Sequence, residues 1–425
     1  MKKQKSSSFV ELVFSIAETV LVILALCILM GVVLDRSRVG VVAEDFGSVS
    51  PLAQLMNYSA YILGIFLGLS QYKRILKFAF KDIFLWVFIA TTVLSSIWSE
   101  NPILTIGRST ALFGVTILGT YLASRYSLTR LFQILCLSLG IVAISSLFFT
   151  WFSPSEAIVN DFGRSSWRWQ GVLAHPTHFG RIMALSTVSW LLCLLSVQQY
   201  RIFSCGMILL SVILTFLSHA VSGYISILFV VALMTVLLTS RGRYRNLVLI
   251  TWAVIIPSIV LGLLINHNLV LTSFNRDITL TGRIPLWIGV FEMIFQQPWF
   301  GYGYGAFWTG NGPSTIVWLI AGWKAAHAHN AILDIWLQVG LIGLVSFLLS
   351  LFRNIFKAIV ELNRSNKLES LLPITFLVCL ITINLVDSGL TAGNILWALY
   401  VFLSTYLSKQ TITTVTARQM QIKKV

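Results

Sequence analysis

The stretch AILDIWLQVGLIGLVSFLLSLF, residues 331–352, has a single charged side chain and is long enough to cross a lipid bilayer as one helix. Similar apolar runs recur along the 425 residues, of which 57% are hydrophobic and 11% are charged. A soluble domain carries about 25% charged residues. Together with a mean hydropathy of +0.85, this predicts an all-α polytopic membrane protein.

About twelve transmembrane helices are predicted within a single integral membrane domain that covers residues 1–425. The predicted spans lie near 10–33, 53–71, 83–98, 107–124, 131–152, 179–197, 202–219, 221–239, 247–266, 328–352, 370–388 and 391–407. The first span has a long apolar run and no clear cleavage site, so it is interpreted as a signal anchor. Its Glu18 is expected to be structural. The five cysteines fall in apolar runs without metal-ligand spacing and are expected to be buried thiols.

The net charge of +15 follows the predicted topology rather than a nucleic-acid surface. In the twelve-span arrangement, 21 of the 30 basic residues lie on one side. The positive-inside rule makes that side cytoplasmic, so both termini are predicted to be cytoplasmic in a bacterial inner membrane. Contact with lipid headgroups is expected there, and nucleic acid is not an expected partner.

Two longer outer segments are predicted to be periplasmic: a smaller loop over 153–178 and a larger one over 267–327. Within the larger loop, residues 284–295 have the spacing of a helix lying along the membrane surface. Glycines at 301, 303 and 305 follow, interleaved with aromatic residues. Such a turn is typical of a sugar-stacking surface or of an interfacial aromatic belt.

Arginines kept on the outer side, against the positive-inside preference, favour an anionic ligand. All six histidines fall on the same side. The outer basic residues and histidines are Arg36, Arg38, Arg108, Arg164, Arg168, Arg181, Arg276, Arg283, Lys324, His175, His178, His219, His267, His327 and His329. Arg36 and Arg38 stand near acidic residues and are interpreted as ordinary loop charge.

Three motifs in this order resemble the O-antigen ligase and Wzy-type polymerase superfamily, and within it the exopolysaccharide polymerases. The first is WRWQGVLAHPTHFGR at 167–181, and the second is TGR-x3-W from Thr281 to Trp287 with PWFGYGYGAFW after it. The third is the H-N-x9-G-x-x-G pattern of His329, Asn330, Gly340 and Gly343, and WSENP at 98–102, shortly before Arg108, also has the family's look. The chain departs from the family at His178, where asparagine is common, and after Ser222, where an expected arginine is missing. Arg181 or Arg168 is the expected substitute.

The resemblance implies a GT-C-like membrane glycosyltransferase that needs no metal or other cofactor. Its donor would be an oligosaccharide on undecaprenyl diphosphate, and its acceptor a glycan or lipid hydroxyl at the outer face of the membrane. Membrane lipid, a chain-length regulator and export proteins are the other implied partners. An O-antigen ligase and a polymerase differ only in the acceptor, and the sequence barely separates them.

The implied transfer releases an anionic diphosphate and needs an activated acceptor hydroxyl. The site should therefore contain residues that stabilise negative charge and a residue that acts as a base. Fixed arginines stabilise developing charge, and histidine titrates in the range useful for a base. His329 is therefore the predicted general base and Arg283 the predicted phosphate-binding residue. The predicted substrate-binding residues are Arg181, Arg168, Arg108, Asn330, Trp287, Gly303, Tyr304, His175 and His327. Asn330 could equally cap a helix, and pairing of Asp334 with His329 is uncertain because the two are five residues apart.

Two alternatives come from other classes. The spacings of His327, His329, His175 and His178 permit a zinc site, although no carboxylate partner is evident. Twelve spans also fit a flippase for lipid-linked sugars. Transporters, however, place their charged site residues near the bilayer midplane, and this chain concentrates them at the outer surface.

Overall fold

The computed structural model describes residues 2–32, 51–160, 167–240, 251–252, 282–310, 312–365 and 367–422, and these residues are mainly helical. The membrane helices and their short neighbours are α1 (Lys2–Leu29), α2 (Pro51–Ser70), α3 (Tyr72–Ala79), α4 (Ile83–Leu94), α5 (Pro102–Arg125), α6 (Leu128–Phe152), α7 (Pro154–Ala157), α8 (Pro176–Ser196), α9 (Arg201–Leu217) and α10 (Val221–Thr239). After the gap follow α11 (Arg283–Gln296), α12 (Pro313–Ala321), α13 (Ala331–Arg364), α14 (Leu371–Val386) and α15 (Ile395–Ile422).

The chain is a multi-pass membrane protein. Among the described residues, seven helices are long and apolar enough to cross a bilayer, or up to eight if the bent pair formed by α3 and α4 counts as one span. Helices stand at eleven of the twelve predicted positions. The remaining predicted span, 247–266, lies outside the described residues except for two helical positions, so the number twelve stays a prediction.

The helices pack in two groups, which α1 joins by contacting α2 in one and α6 in the other. In the first group, α5 contacts α2, α4 and α15, while in the second α8 contacts α6, α9, α10 and α14. Gly223 at the start of α10 lies so close to α8 that a Cβ there would stand 2.9 Å from the carbonyl oxygen of Gly180. The position after Ser222, where the family often has arginine, is therefore a close helix–helix contact in this chain.

Helix α13 is broken at Gly340, and the glycine turn enters the break. The backbone of Gly340 has φ 68°, and a Cβ there would collide with the backbone of Trp299. The break frees carbonyl oxygens that accept from the turn: Tyr302 N donates to Leu337 O at 3.0 Å and Gly303 N to Gln338 O at 2.9 Å. In return, Leu341 N donates to Pro298 O at 2.8 Å. Gly340 of the H-N-x9-G-x-x-G pattern is thus required because the backbone of the glycine turn packs directly against its backbone and leaves no room for a side chain.

Two carboxylates tie spans together at the opposite ends of the helices. Glu18 of α1 accepts from Arg125 Nε at 2.8 Å and from Tyr126 at 3.1 Å, which agrees with the structural role expected for it. Asp82 caps α4 and accepts from Ser350 at 2.8 Å and Ser404 at 2.7 Å, so it joins α4 to α13 and α15. Because each of these carboxylates has several donors, the cost of removing it from water, which is largest for the buried Asp82, is compensated.

The segments predicted to be periplasmic contain secondary structure of their own. A two-stranded antiparallel sheet pairs β1 (Ile158–Asn160) with β2 (Trp167–Trp169), with Val159 opposite Arg168. Helix α11 covers the stretch predicted as helical, and α12 packs on it. One face of α11 is buried while the stripe of Ile288 and Phe295 is exposed, which suits the predicted position at the membrane surface.

Candidate active site

Asp387 is the centre of a polar cluster that brings together Arg181, His327 and His329. It follows α14 directly, and its side chain is 3% exposed. Its Oδ2 lies 3.2 Å from Arg181 Nη1 of α8, and its Oδ1 lies 3.4 Å from both His327 Nε2 and His329 Nδ1. Burial alone raises the pKa of Asp387, but Arg181 and the two histidines outweigh burial and hold the pKa well below its ordinary value. The carboxylate is therefore charged and serves three cationic or polar partners.

The two histidines use their nitrogens differently. His327 Nδ1 accepts from the backbone N–H of His329 at 3.2 Å, so the proton of the neutral ring stands on Nε2, towards Asp387. Burial lowers the pKa of His327 to about 3, with the neighbouring His329 adding to the shift. His327 thus has both nitrogens engaged. His329 turns only Nδ1 to Asp387, which leaves its Nε2 as the nitrogen that can accept a proton from a hydroxyl.

Ala328, the residue between the two histidines, is held through both its backbone N–H and its carbonyl oxygen. Ala328 N donates to Asp334 Oδ1 at 3.0 Å, and Trp287 Nε1 of α11 donates to Ala328 O at 2.9 Å. His329 itself has φ 50°, a conformation that non-glycine residues rarely adopt. Asp334 also accepts from Trp308 Nε1 at 2.9 Å. Trp287 and Asp334 therefore position the backbone that precedes His329. The carboxylate that contacts the His329 ring is that of Asp387, not that of Asp334.

Arg181 is a buried arginine with unused donors. The residue is 8% exposed, and its Nη2 lies 3.3 Å from His178 Nδ1, while His178 Nε2 lies 2.9 Å from Met30 O. Arg181 Nε and Nη1 have no hydrogen-bond partner among the described residues, because the contact with Asp387 is close but not aligned as a hydrogen bond. Gly389 leaves room for the guanidinium, since a Cβ there would stand 3.2 Å from Nη1. Such unpaired donors suit the oxygens of an anionic ligand.

Arg283, the first residue of α11, lies within electrostatic range of the same carboxylate. Burial lowers the pKa of Arg283, and the charge of Asp387 opposes that shift. Two of the sequence-predicted arginines, Arg181 and Arg283, are therefore brought to the histidines from elements far apart in the chain. Of the other outer arginines, Arg36, Arg38, Arg164 and Arg276 lie outside the described residues.

The cluster also offers ligands of the kind that metals bind. One atom each from His327, His329 and Asp387 lies within 4.8 Å of the others. Arg181 Nη1, at 3.2 Å from the same carboxylate, would stand beside a bound cation and repel it. The predicted four-histidine zinc set is not assembled around this point: His175 Nδ1 accepts from Thr177 N at 3.1 Å, and His178 is bonded to Arg181 and Met30.

Other predicted binding residues have packing partners. Arg168 donates to Ser218 O and to Thr177 at 3.1 Å each, and Arg108 donates to the carbonyl of Gly305. Asn330 caps α13 by accepting from Ile332 N at 2.9 Å, so capping is the role that the structure gives it. These contacts fix the outer segments to the membrane helices.

The four aromatic residues that follow Gly301 are buried, whereas Trp299 and Phe300 before it are exposed. Tyr302, Tyr304, Phe307 and Trp308 are each at most 6% exposed, and a Cβ at Gly303 would collide with Ser99. The glycines thus let the turn approach α5, α13 and the segment between α4 and α5 that contains Ser99. A sugar-binding role for Gly303 and Tyr304 remains a prediction, and the geometry supplies a packing reason for both residues.

Asp387 was missed because residues 370–388 were treated as one apolar span. An ionisable residue at the end of such a span is a functional candidate by default, since burying its charge in lipid is costly. That signal, with the glycine two residues later, could have identified it.

Comparison with known proteins bears on this site. Residues 206–348, which include both histidines and Arg283, match the family model described as O-Antigen ligase. The resemblance to this superfamily is confirmed. A stretch of 82 residues is 35% identical to the exopolysaccharide production protein ExoQ of Rhizobium meliloti (strain 1021). That match covers 18% of this chain and 19% of ExoQ, so the chain spans about a fifth of the length of the curated relative it matches.

Proposed function

We propose that this protein is a polysaccharide polymerase that moves a glycan from undecaprenyl diphosphate to a hydroxyl of a second lipid-linked glycan at the outer face of the inner membrane. The observation that carries the proposal is the His329–Asp387 contact beside Arg181 and Arg283. It supplies a base with an orienting carboxylate, one buried cation, Arg181, in contact with that carboxylate, and a second cation, Arg283, within electrostatic range of it, which are the groups that this transfer needs.

In the proposed reaction, His329 Nε2 accepts the proton of the acceptor hydroxyl as the oxygen attacks the anomeric carbon of the donor. A new carbon–oxygen bond forms, and the bond from that carbon to the phosphate oxygen breaks. Undecaprenyl diphosphate leaves with the electron pair, and Arg181 and Arg283 stabilise its charge. Asp387 stabilises the imidazolium of His329, in the manner of an Asp–His pair.

The identity of the acceptor separates polymerase from ligase. Similarity to an exopolysaccharide production protein favours polymerisation, whereas the family description names a ligase. Deletion of the gene should leave single repeat units on lipid and abolish long polymer, as seen by gel analysis of extracted lipid-linked glycan. If long lipid-linked polymer accumulates and only its attachment to a final acceptor fails, the protein is the O-antigen ligase.

The proposal includes no metal. Transfer by purified protein with extracted lipid-linked repeat units should therefore persist in EDTA. Loss of transfer that zinc or magnesium restores would instead assign His327, His329 and Asp387 to a metal. Transfer in detergent, without any ion gradient, would separate the enzyme from a flippase. Chain-length and export proteins are further proposed partners, testable by co-purification.

The arginine prediction concerns the diphosphate. Arg283→Ala should weaken donor binding roughly tenfold to a hundredfold, the range expected for loss of one or two charge-assisted hydrogen bonds. Arg283→Lys should not restore it, because one ammonium cannot replace a bidentate fork. Binding of undecaprenyl diphosphate to the purified variants measures this. Lys324→Ala, which removes a nearby exposed cation, is the matched control and should bind normally. If Arg283→Lys bound the donor as well as the unmodified protein, Arg283 would contribute only its positive charge.

The orientation prediction rests on the basic residues. Ser365 lies between α13 and α14 on the basic side, and Lys324 lies in the outer loop. A cysteine at Lys324 should react with an impermeant thiol reagent in spheroplasts, and one at Ser365 only after permeabilisation. The unmodified chain controls for Cys205, which is exposed. The reverse labelling pattern would overturn the proposed topology and the outer-face location of the site.

A further inference from the structure

Trp323 differs from the other tryptophans of the outer loop that adjoin the histidines. Gly322 adopts a left-handed conformation with φ 77° and ends α12, so the chain turns and presents Trp323 at the surface. Trp323 is 36% exposed, while Trp308 is 6% exposed and buried in the cluster around α11. An accessible aromatic face therefore lies beside the candidate active site.

The position of this indole is defined on two sides. Its ring centroid is 5.6 Å from that of His329, with the planes inclined by 42°. It also covers Gly282, where a Cβ would stand 2.8 Å from Trp323 Nε1. Gly282 directly precedes Arg283, so the indole lies between the candidate base and the start of the helix that carries the phosphate-binding arginine.

We propose that Trp323 is the platform on which a pyranose ring of the acceptor glycan stacks, so that one of its hydroxyls reaches His329 Nε2. The C–H face of a pyranose is apolar and its edge is polar, which matches an indole with an accessible face and a polar edge. The inference rests on the proposed function and adds the acceptor subsite to it. It also assigns sugar stacking to Trp323, whose ring lies beside that of the candidate base His329, and not to the buried aromatic residues of the glycine turn.

A general role in the interfacial aromatic belt would produce a different pattern. A belt tryptophan is accessible to lipid headgroups and needs no fixed relation to a catalytic group. Trp151, at the outer end of α6, is 80% exposed and is such a residue. It provides a matched control, because Trp151→Ala removes an outer indole away from the Asp387 cluster.

The test uses, as acceptor, the oligosaccharide released by mild acid from lipid-linked repeat units, with intact lipid-linked repeat units as donor. Trp323→Ala should raise the KM for the released oligosaccharide about tenfold and change kcat less than about threefold, as loss of one stacking contact implies. Trp323→Phe should recover most of the affinity, because it keeps an aromatic face. Trp151→Ala should match the unmodified protein, and binding of undecaprenyl diphosphate should be unaffected in all three.

Two outcomes would overturn the inference. An unchanged KM in Trp323→Ala would exclude a stacking role, and an equal loss in Trp151→Ala would assign the effect to the belt. Failure of the proposed function is distinguishable, because it would appear as the absence of glycan transfer by the unmodified protein in this assay. If His329→Gln is inactive while Trp323→Ala binds acceptor normally, only the platform is wrong.

Discussion

Replacement of His329 by glutamine should lower the rate of glycan transfer by roughly 10²–10⁴-fold, the usual loss when a general base is removed. Glutamine keeps a polar side chain of similar size but cannot take up the hydroxyl proton at neutral pH. The measurement is transfer by purified protein with lipid-linked repeat units at saturating donor. Donor affinity should be retained, since the arginines rather than His329 are proposed to bind the diphosphate.

His327→Gln is the control, because it changes the same residue type two positions away. His327 holds the backbone of His329 and contacts Asp387, so its loss should reduce the rate, but by much less than the loss of His329. Burial keeps the pKa of His327 near 3, and the ring is therefore neutral throughout the range from pH 5 to 8. Its replacement should leave the pH dependence of transfer unchanged in that range. Equal losses from the two variants, or near-normal transfer by His329→Gln, would contradict the assignment of the base.

The membrane helices and the surface helix could be predicted because each is encoded locally. Length and hydropathy identify a span without reference to its neighbours, and the spacing of apolar residues over 284–295 was sufficient to predict α11. The position of His329 followed from a motif. The motif did not indicate the backbone conformation of His329. Its φ of 50° accompanies hydrogen bonds of the preceding residue, Ala328, with Trp287 and Asp334, which lie on different helices.

The glycine turn shows what a local sequence pattern does not determine about tertiary structure. Glycines with aromatic neighbours have the same local appearance whether they approach a ligand or another part of the chain. Here Gly301 approaches the backbone of Leu337 and Gln338, and Gly340 approaches the backbone of Trp299, because the turn satisfies carbonyls freed by the break in α13. Asp387 was missed for a related reason: its partners Arg181 and His329 come from distant segments, and no local spacing connects them.

Asp387→Asn should reduce transfer by roughly 10²–10⁴-fold while the protein still inserts in the membrane. Asparagine retains the shape of the side chain but removes the charge that stabilises the imidazolium of His329. It also leaves the buried guanidinium of Arg181 without its counter-ion, so a smaller loss of donor affinity is expected as well. Insertion and folding are checked by yield and by thermal unfolding of the purified variant.

A double-mutant cycle distinguishes action through His329 from a separate contribution. If Asp387 serves the base, Asp387→Asn should cost little further activity in a His329→Gln background, because groups that act as a unit give non-additive losses. If it serves mainly to hold Arg181, the losses from Asp387→Asn and His329→Gln should multiply instead. The 3.4 Å separation between Asp387 Oδ1 and His329 Nδ1 is longer than an ideal hydrogen bond, which is common for catalytic pairs before substrate binds. Near-normal transfer by Asp387→Asn would therefore reject the Asp–His pair and leave His329 to act unaided.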